Sequence, residues 1–221
     1  MNFPAGLFGD AWAYGAFVPL ALVWLWCLRT APWRRLAGEG QFNVWLGAIV
    51  VLMLLWSMKA GVRPGLNLHL LGVTAMTLMF GRQLAIAGLS LVLVAVTFNG
   101  GAGWQAYALN ALVMAVLPVF VAFAVLRFVE RWLPANFFIY VFVAAFFGAA
   151  VVAGVTGVAG TALLAVAGVY PAELLLADYF PYFLLLGFSE AWLNGAAVTL
   201  MVVYFPHWVG TFDDRRYLLN K

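Results

Sequence analysis

The sequence predicts an all-α, polytopic membrane protein with about seven transmembrane helices. Hydrophobic residues make up 67% of its 221 residues and charged residues only 9%. So little charge cannot cover the surface of a water-soluble domain of this size. The apolar residues also gather into long runs parted by short polar or glycine-bearing stretches. The placement of the arginines then orients the chain in the bilayer.

Seven apolar segments cover 8–28, 42–60, 66–81, 83–99, 104–126, 137–158 and 181–205. The first is too long for the apolar part of a signal peptide, and no Lys or Arg precedes Arg29. Asn2 is bulky enough to discourage removal of Met1, so Met1-Asn2-Phe3-Pro4-Ala5-Gly6 is expected to be the mature start, with a free, metal-capable amine. The second segment runs to Lys59 and Ala60. The third is short for a span of about 20 residues, which predicts a tilted helix or one set against a re-entrant loop. Only Gly81 and Arg82 part it from the fourth, which ends at Asn99 before Gly100-Gly101-Ala102-Gly103, a loop able to fold back unobstructed. Asn110 and Met114 lie one turn apart in the fifth. In the sixth, which runs on toward Gly168, small residues recur every four positions at Ala145, Ala149, Ala153, Gly157 and Thr161, a spacing that lets a helix approach closely. Internal packing is preferred to a subunit interface there. The seventh carries Glu190 and Asn194 one turn apart, and Glu190 is the only carboxylate well inside a segment. Residues 1–221 are read as a single transmembrane domain with a short cytoplasmic tail over 206–221. Trp12, Trp33, Trp104, Trp132, Tyr179, Tyr182 and Trp208 lie near segment ends, as an interfacial belt requires.

With the N-terminus outside, the inner loops hold Arg29, Arg34, Arg35, Arg82, Arg127, Arg131, Arg215, Arg216 and Lys221, and the outer loops hold Lys59 and Arg63. This bias places the N-terminus outside and the C-terminus in the cytoplasm. The net charge of +3 is thus a topology signal and gives no surface for nucleic acid. Cys27 stands alone, which excludes an internal disulfide and a multi-cysteine metal site. The chain lacks a P-loop, so it is not an ATPase of that kind. No lysine in the seventh segment could carry a retinal Schiff base. Two histidines are too few for several bis-histidine haems, and no Ser–His or H-E-x-x-H pattern suggests a protease. The chain is therefore not read as an enzyme.

His69 is the costly residue. An imidazole in an apolar segment needs a partner and is a functional candidate. As a metal ligand, a proton relay or a hydrogen-bonded core residue, it would satisfy the sequence equally. On a regular helix His69, Gly72 and Met76 share a face while Asn67 and His69 do not, and Gly72 leaves room beside the ring. Asn110 and Asn194 could join helices by hydrogen bonds. Glu190 could pair with an arginine near the cytoplasmic face or relay a proton or cation. The scattered methionines and the interfacial His207 look like ordinary packing.

Four stretches resemble, in order, the substrate-binding membrane component of cobalt and nickel energy-coupling-factor transporters, the CbiM/NikM-type permeases. Met1-Asn2-Phe3-Pro4-Ala5-Gly6 is similar to the family's Met-His-Ile-Pro-Asp-Gly start. His69-Leu70-Leu71-Gly72 is similar to its His-Leu-Leu-Gly-Gly motif, continuing to Leu78-Met79-Phe80-Gly81. Val96-Thr97-Phe98-Asn99-Gly100-Gly101, with Ala108-Leu109-Asn110, resembles its glycine-loop and Gly-Ala-Asn pair. Leu186-Gly187-Phe188-Ser189-Glu190-Ala191 resembles its Ile-Gly-x-x-Glu-Ala. The resemblance implies that the N-terminal segment folds inward from outside and that the Met1 amine, residue 2 and His69 hold the metal, with Asn99, Asn110 and Glu190 in support. It implies an uptake transporter of the inner (plasma) membrane. Cobalt or nickel is then cargo and no cofactor is resident; a coupling transmembrane subunit and cytoplasmic ATPases are the partners. Two departures stand out: Asn2 replaces the histidine and Ala5 the aspartate. A carboxamide is a poorer ligand than imidazole for these metals. The amine, the Asn2 backbone nitrogen and His69 could still form a planar nitrogen site. The alternatives are a non-transporting subunit or assembly factor that kept the fold, and a proton-coupled carrier using Glu190.

Overall fold

A computed structural model describes residues 2–38, 40–63 and 66–219. The chain is mostly helical. Helix α1 covers Asp10–Thr30, α2 Gln41–Ser57, α3 Val73–Phe80, α4 Arg82–Phe98, α5 Tyr107–Trp132, α6 Phe137–Val166 and α7 Tyr182–Tyr204. Four of these, α1, α5, α6 and α7, are long and apolar enough to cross a membrane; α2 and α4 are apolar but shorter.

The third segment departs most from expectation. Only its second half is helical, the eight residues of α3. Its first half is a strand, β2 (Leu66–Leu68), paired antiparallel with β1 (Ala60–Arg63), followed by an extended turn through His69 and Leu70. The turn ends at Gly72, which is left-handed at φ 63°. Helical periodicity therefore does not apply to residues 66–72, and His69, Gly72 and Met76 do not share a helix face. The side chains of Asn67, in β2, and His69, just after it, both reach Asn2 instead.

Short α3 sits in the centre, packed against α4, α5 and α7. Seven of its residues are buried, with only Ala75 partly exposed. Too short to reach the membrane faces, it leaves free amides and carbonyls inside the protein, which need partners from other elements. At its C-terminal end Arg35 Nη2 and Gly210 N donate to Met79 O at 2.9 and 3.0 Å, and Thr211 Oγ1 donates to Leu78 O at 2.8 Å. The N-terminal end is capped from α7.

The small residues of α6 serve internal packing, as preferred from their spacing: Ala145, Ala149 and Ala153 are buried, and a Cβ on Gly157 would strike Phe183. The two ends of the bundle differ in content. One gathers the N-terminal segment, the β-hairpin, the glycine loop and the short Ala172–Asp178 helix, through the Arg63–Asp178 ion pair and a bond from Lys59 Nζ to Gly101 O at 3.0 Å. The other gathers Arg35, the Pro206–Trp208 turn and the chain that follows it.

Candidate metal site

The N-terminal segment enters the bundle as extended chain, with Asn2 and Phe3 buried. Backbone that leaves water must replace every lost hydrogen bond, and here carboxamides replace them. Asn67 Oδ1 accepts from Asn2 N at 2.8 Å, and Asn67 Nδ2 donates to Asn2 O at 3.0 Å. Asn110 repeats the arrangement on Phe3, accepting from its N at 2.8 Å and donating to its O at 3.0 Å. A carboxamide carries one acceptor and a donor pair, so it matches both polar groups of one residue as a neighbouring strand would. Gln105 accepts from Gly6 N at 2.9 Å and donates to Asp10 at 2.9 Å. The glycine loop closes over the segment: Gly103 N donates to Phe3 O at 3.2 Å, and a Cβ on Gly103 would collide with the backbone of Ala5.

His69 reaches the segment from the turn that follows β2. Its ring is buried, and Nδ1 lies 3.0 Å from Leu70 O. A carbonyl only accepts, so Nδ1 carries the hydrogen and Nε2 of the neutral ring presents a lone pair. That lone pair faces Asn2 Oδ1 at 3.1 Å, while Asn2 Nδ2 is buried without a partner. Turning the carboxamide over lets Nδ2 donate to Nε2 but then strands Oδ1. In either orientation the His69–Asn2 pair is one partner short. Trp56 fixes the other side of the ring, 5.0 Å away between centroids, and its Nε1 donates to Leu71 O at 2.9 Å.

Glu190 on α7 holds the same loop from below. Its carboxylate accepts from Leu71 N, from Gly72 N at 3.1 Å and from Asn194 Nδ2 at 2.8 Å. Asn194 Oδ1 accepts from Ala75 N at 2.8 Å. Asn194 thus takes one amide of the first turn of α3, and Glu190 takes the two amides just before the helix, where a negative charge is favoured by the helix dipole. Of the two roles read for Glu190, pairing with an arginine is not what the fold shows: its carboxylate meets backbone amides and Asn194 instead. Gly72 does not leave room beside the imidazole either: a Cβ there would meet Leu52 of α2.

Asn2, His69, Asn110 and Glu190 therefore belong to one connected network, tied by Asn67 and the 69–72 loop. Asn99 does not belong to it; it stands exposed at the C-terminal end of α4. Met1 lies outside the described residues. Asn67, Gln105 and Trp56 were missed as site residues. The strand spacing Asn67-Leu68-His69 is a signal that could have found Asn67; Gln105 and Trp56 carry none. Among the described residues no group of three or more His, Cys, Asp or Glu side chains gathers to hold a metal. Any ion here must rely on imidazole, carboxamide and backbone donors.

No curated protein sequence matches the chain. The fold is shared with solved structures. A truncated transition metal transporter is 16% identical, with a TM-score of 0.80 over 92% of this chain and 99% of that one. A second transition metal transporter structure is also 16% identical, at a TM-score of 0.80 over 94% of this chain and 96% of that one. The model of the cobalt uptake substrate-specific transmembrane region, CbiM, matches residues 2–208. A match over nearly the whole chain establishes that the chain belongs to the CbiM family.

Proposed function

We propose that the chain is the substrate-binding membrane component of a transition-metal-ion uptake transporter, taking a cobalt- or nickel-type ion at the end of the bundle where the N-terminal segment enters. One observation carries this reading: Nε2 of His69 and the carboxamide of Asn2 converge to 3.1 Å in a buried pair with an unmet polar atom. Donors bound at about 2.0–2.1 Å to one metal at right angles stand about 3 Å apart, so the pair has the spacing of neighbouring ligands.

The arginine bias supports an outside N-terminus and a cytoplasmic C-terminus in the inner (plasma) membrane. On this topology α2 and α4 complete crossings, and residues 66–80 form the third crossing as an extended stretch joined to α3, giving seven in all. A cavity of ≈ 560 Å³ lined by Gly72, Met76, Met79, Asn194 and Trp208 runs between α2, α3 and α7 toward the opposite end. The chain supplies no energy source, so a coupling membrane subunit and cytoplasmic ATPases complete the transporter.

The test is metal retention by the purified protein, measured by elemental analysis. Wild type retains the ion and His69→Ala loses it; equal metal in both would refute the reading. Asn2, standing where the family has histidine, favours a second reading, a non-transporting subunit or assembly factor. On that reading no metal copurifies and His69 is dispensable.

A further inference from the structure

The side chain that decides what the site can bind is Asn67. Its two hydrogen bonds fix the Asn2 backbone, with the N–H hydrogen pointing at Asn67 Oδ1 across 2.8 Å and the carbonyl held at 3.0 Å. A metal on that nitrogen would have to take the place of the hydrogen and lose the bond. Asn110 occupies the Phe3 nitrogen in the same way at 2.8 Å. Consecutive backbone nitrogens are the usual source of a flat, all-nitrogen site at a chain end, and both are committed here. Residue 2 is left with its side chain alone: Oδ1, 3.1 Å from His69 Nε2, and the unpartnered Nδ2.

Resting on the metal-binding reading above, we infer that the cargo is held by side-chain donors in a mixed nitrogen–oxygen, non-planar set, and that Asn67 sets this specificity by withholding the Asn2 backbone nitrogen. Square-planar donor sets select Cu(II) and Ni(II), whereas mixed imidazole and oxygen donors suit divalent ions with no demand for planarity. The substrate class is therefore a divalent first-row ion taken in tetrahedral or octahedral geometry. Nickel, if bound, is accepted in that geometry too.

Nickel reports the geometry directly, because a planar nitrogen set makes Ni(II) diamagnetic and a tetrahedral or octahedral set leaves it paramagnetic. The full chain is loaded with Ni(II) and its magnetic susceptibility measured, with Co(II) loading in parallel. Wild type is expected to hold paramagnetic nickel, and Asn67→Ala to shift part of it to the diamagnetic planar form. Diamagnetic nickel in wild type would overturn the inference while leaving metal binding intact, and an unchanged spin state in Asn67→Ala would remove the role assigned to Asn67. Retention of neither Ni(II) nor Co(II) would sink the metal-binding reading itself.

Discussion

At the scale of single residues, the account turns on carboxamides. Asn67 and Asn110 hold buried chain that no β-sheet reaches, each with side-chain oxygen and nitrogen, and Gln105 ties the exposed Gly6 N–H to Asp10. Replacing Asn110 by Leu strands the Phe3 N–H and removes one of two donors to the Phe3 carbonyl. A buried polar group left unpaired costs about 1–3 kcal/mol, so Asn110→Leu is expected to lower the unfolding temperature in detergent and to release metal. Full retention of both would contradict the clamp. His69, Asn110 and Glu190 were legible in the sequence because a polar group inside an apolar run must have a partner. Which partner was not legible, since each lies 67 or more residues away along the chain. Asn67 was misjudged for a different reason: a helical period was applied to a strand.

At the scale of elements, α3 is the part that departs from the expected pattern. Its length was readable as a shortfall, and the remedy for its free ends was not. Glu190 and Asn194 cap its N-terminal end, and Arg35 with Gly210 and Thr211 caps the other. Negative and positive side chains thus sit where the helix dipole favours each. Glu190→Ala leaves the Leu71 and Gly72 amides unpaired in the core. Each buried N–H left without a partner costs about 1–3 kcal/mol. The expected outcome is a lower unfolding temperature and weaker metal retention, because the same loop carries His69. Glu190→Gln keeps an acceptor and is expected to be milder in both. Transport abolished by Glu190→Gln with stability and metal retention unchanged would instead favour proton coupling. The glycine loop gives a second test. Gly103→Ala places a methyl group against the Ala5 backbone, which cannot shift cheaply. The variant is expected to dislodge the N-terminal segment, seen as proteolysis near Gly6 that wild type resists. Equal resistance would contradict the close packing.

At the scale of the whole molecule, composition alone settled the class. With 67% hydrophobic residues and 9% charged, no other reading was open. Helix positions followed closely for α1, α2 and α4 to α7, where long apolar runs leave little choice. The β-hairpin was not foreseen, because it spends its few residues supporting the N-terminal segment rather than a sheet. Lys59 and Arg63 lie at the same end as Asn2, and Arg35 lies at the other, in keeping with the arginine bias. Cysteine reporters check the orientation, since the sole native thiol, Cys27, is buried. In intact cells a membrane-impermeant thiol reagent is expected to label Glu173→Cys and to spare Arg34→Cys. The reverse pattern would invert the topology.

The central claim is that His69 and Asn2 hold the transported ion. X-ray absorption on the cobalt-loaded protein reads the atoms bound to the metal directly. The account predicts imidazole scattering in wild type, its loss in His69→Ala, and loss of one oxygen neighbour in Asn2→Ala with the imidazole retained. A spectrum without imidazole in wild type, or one unchanged by His69→Ala, would contradict it.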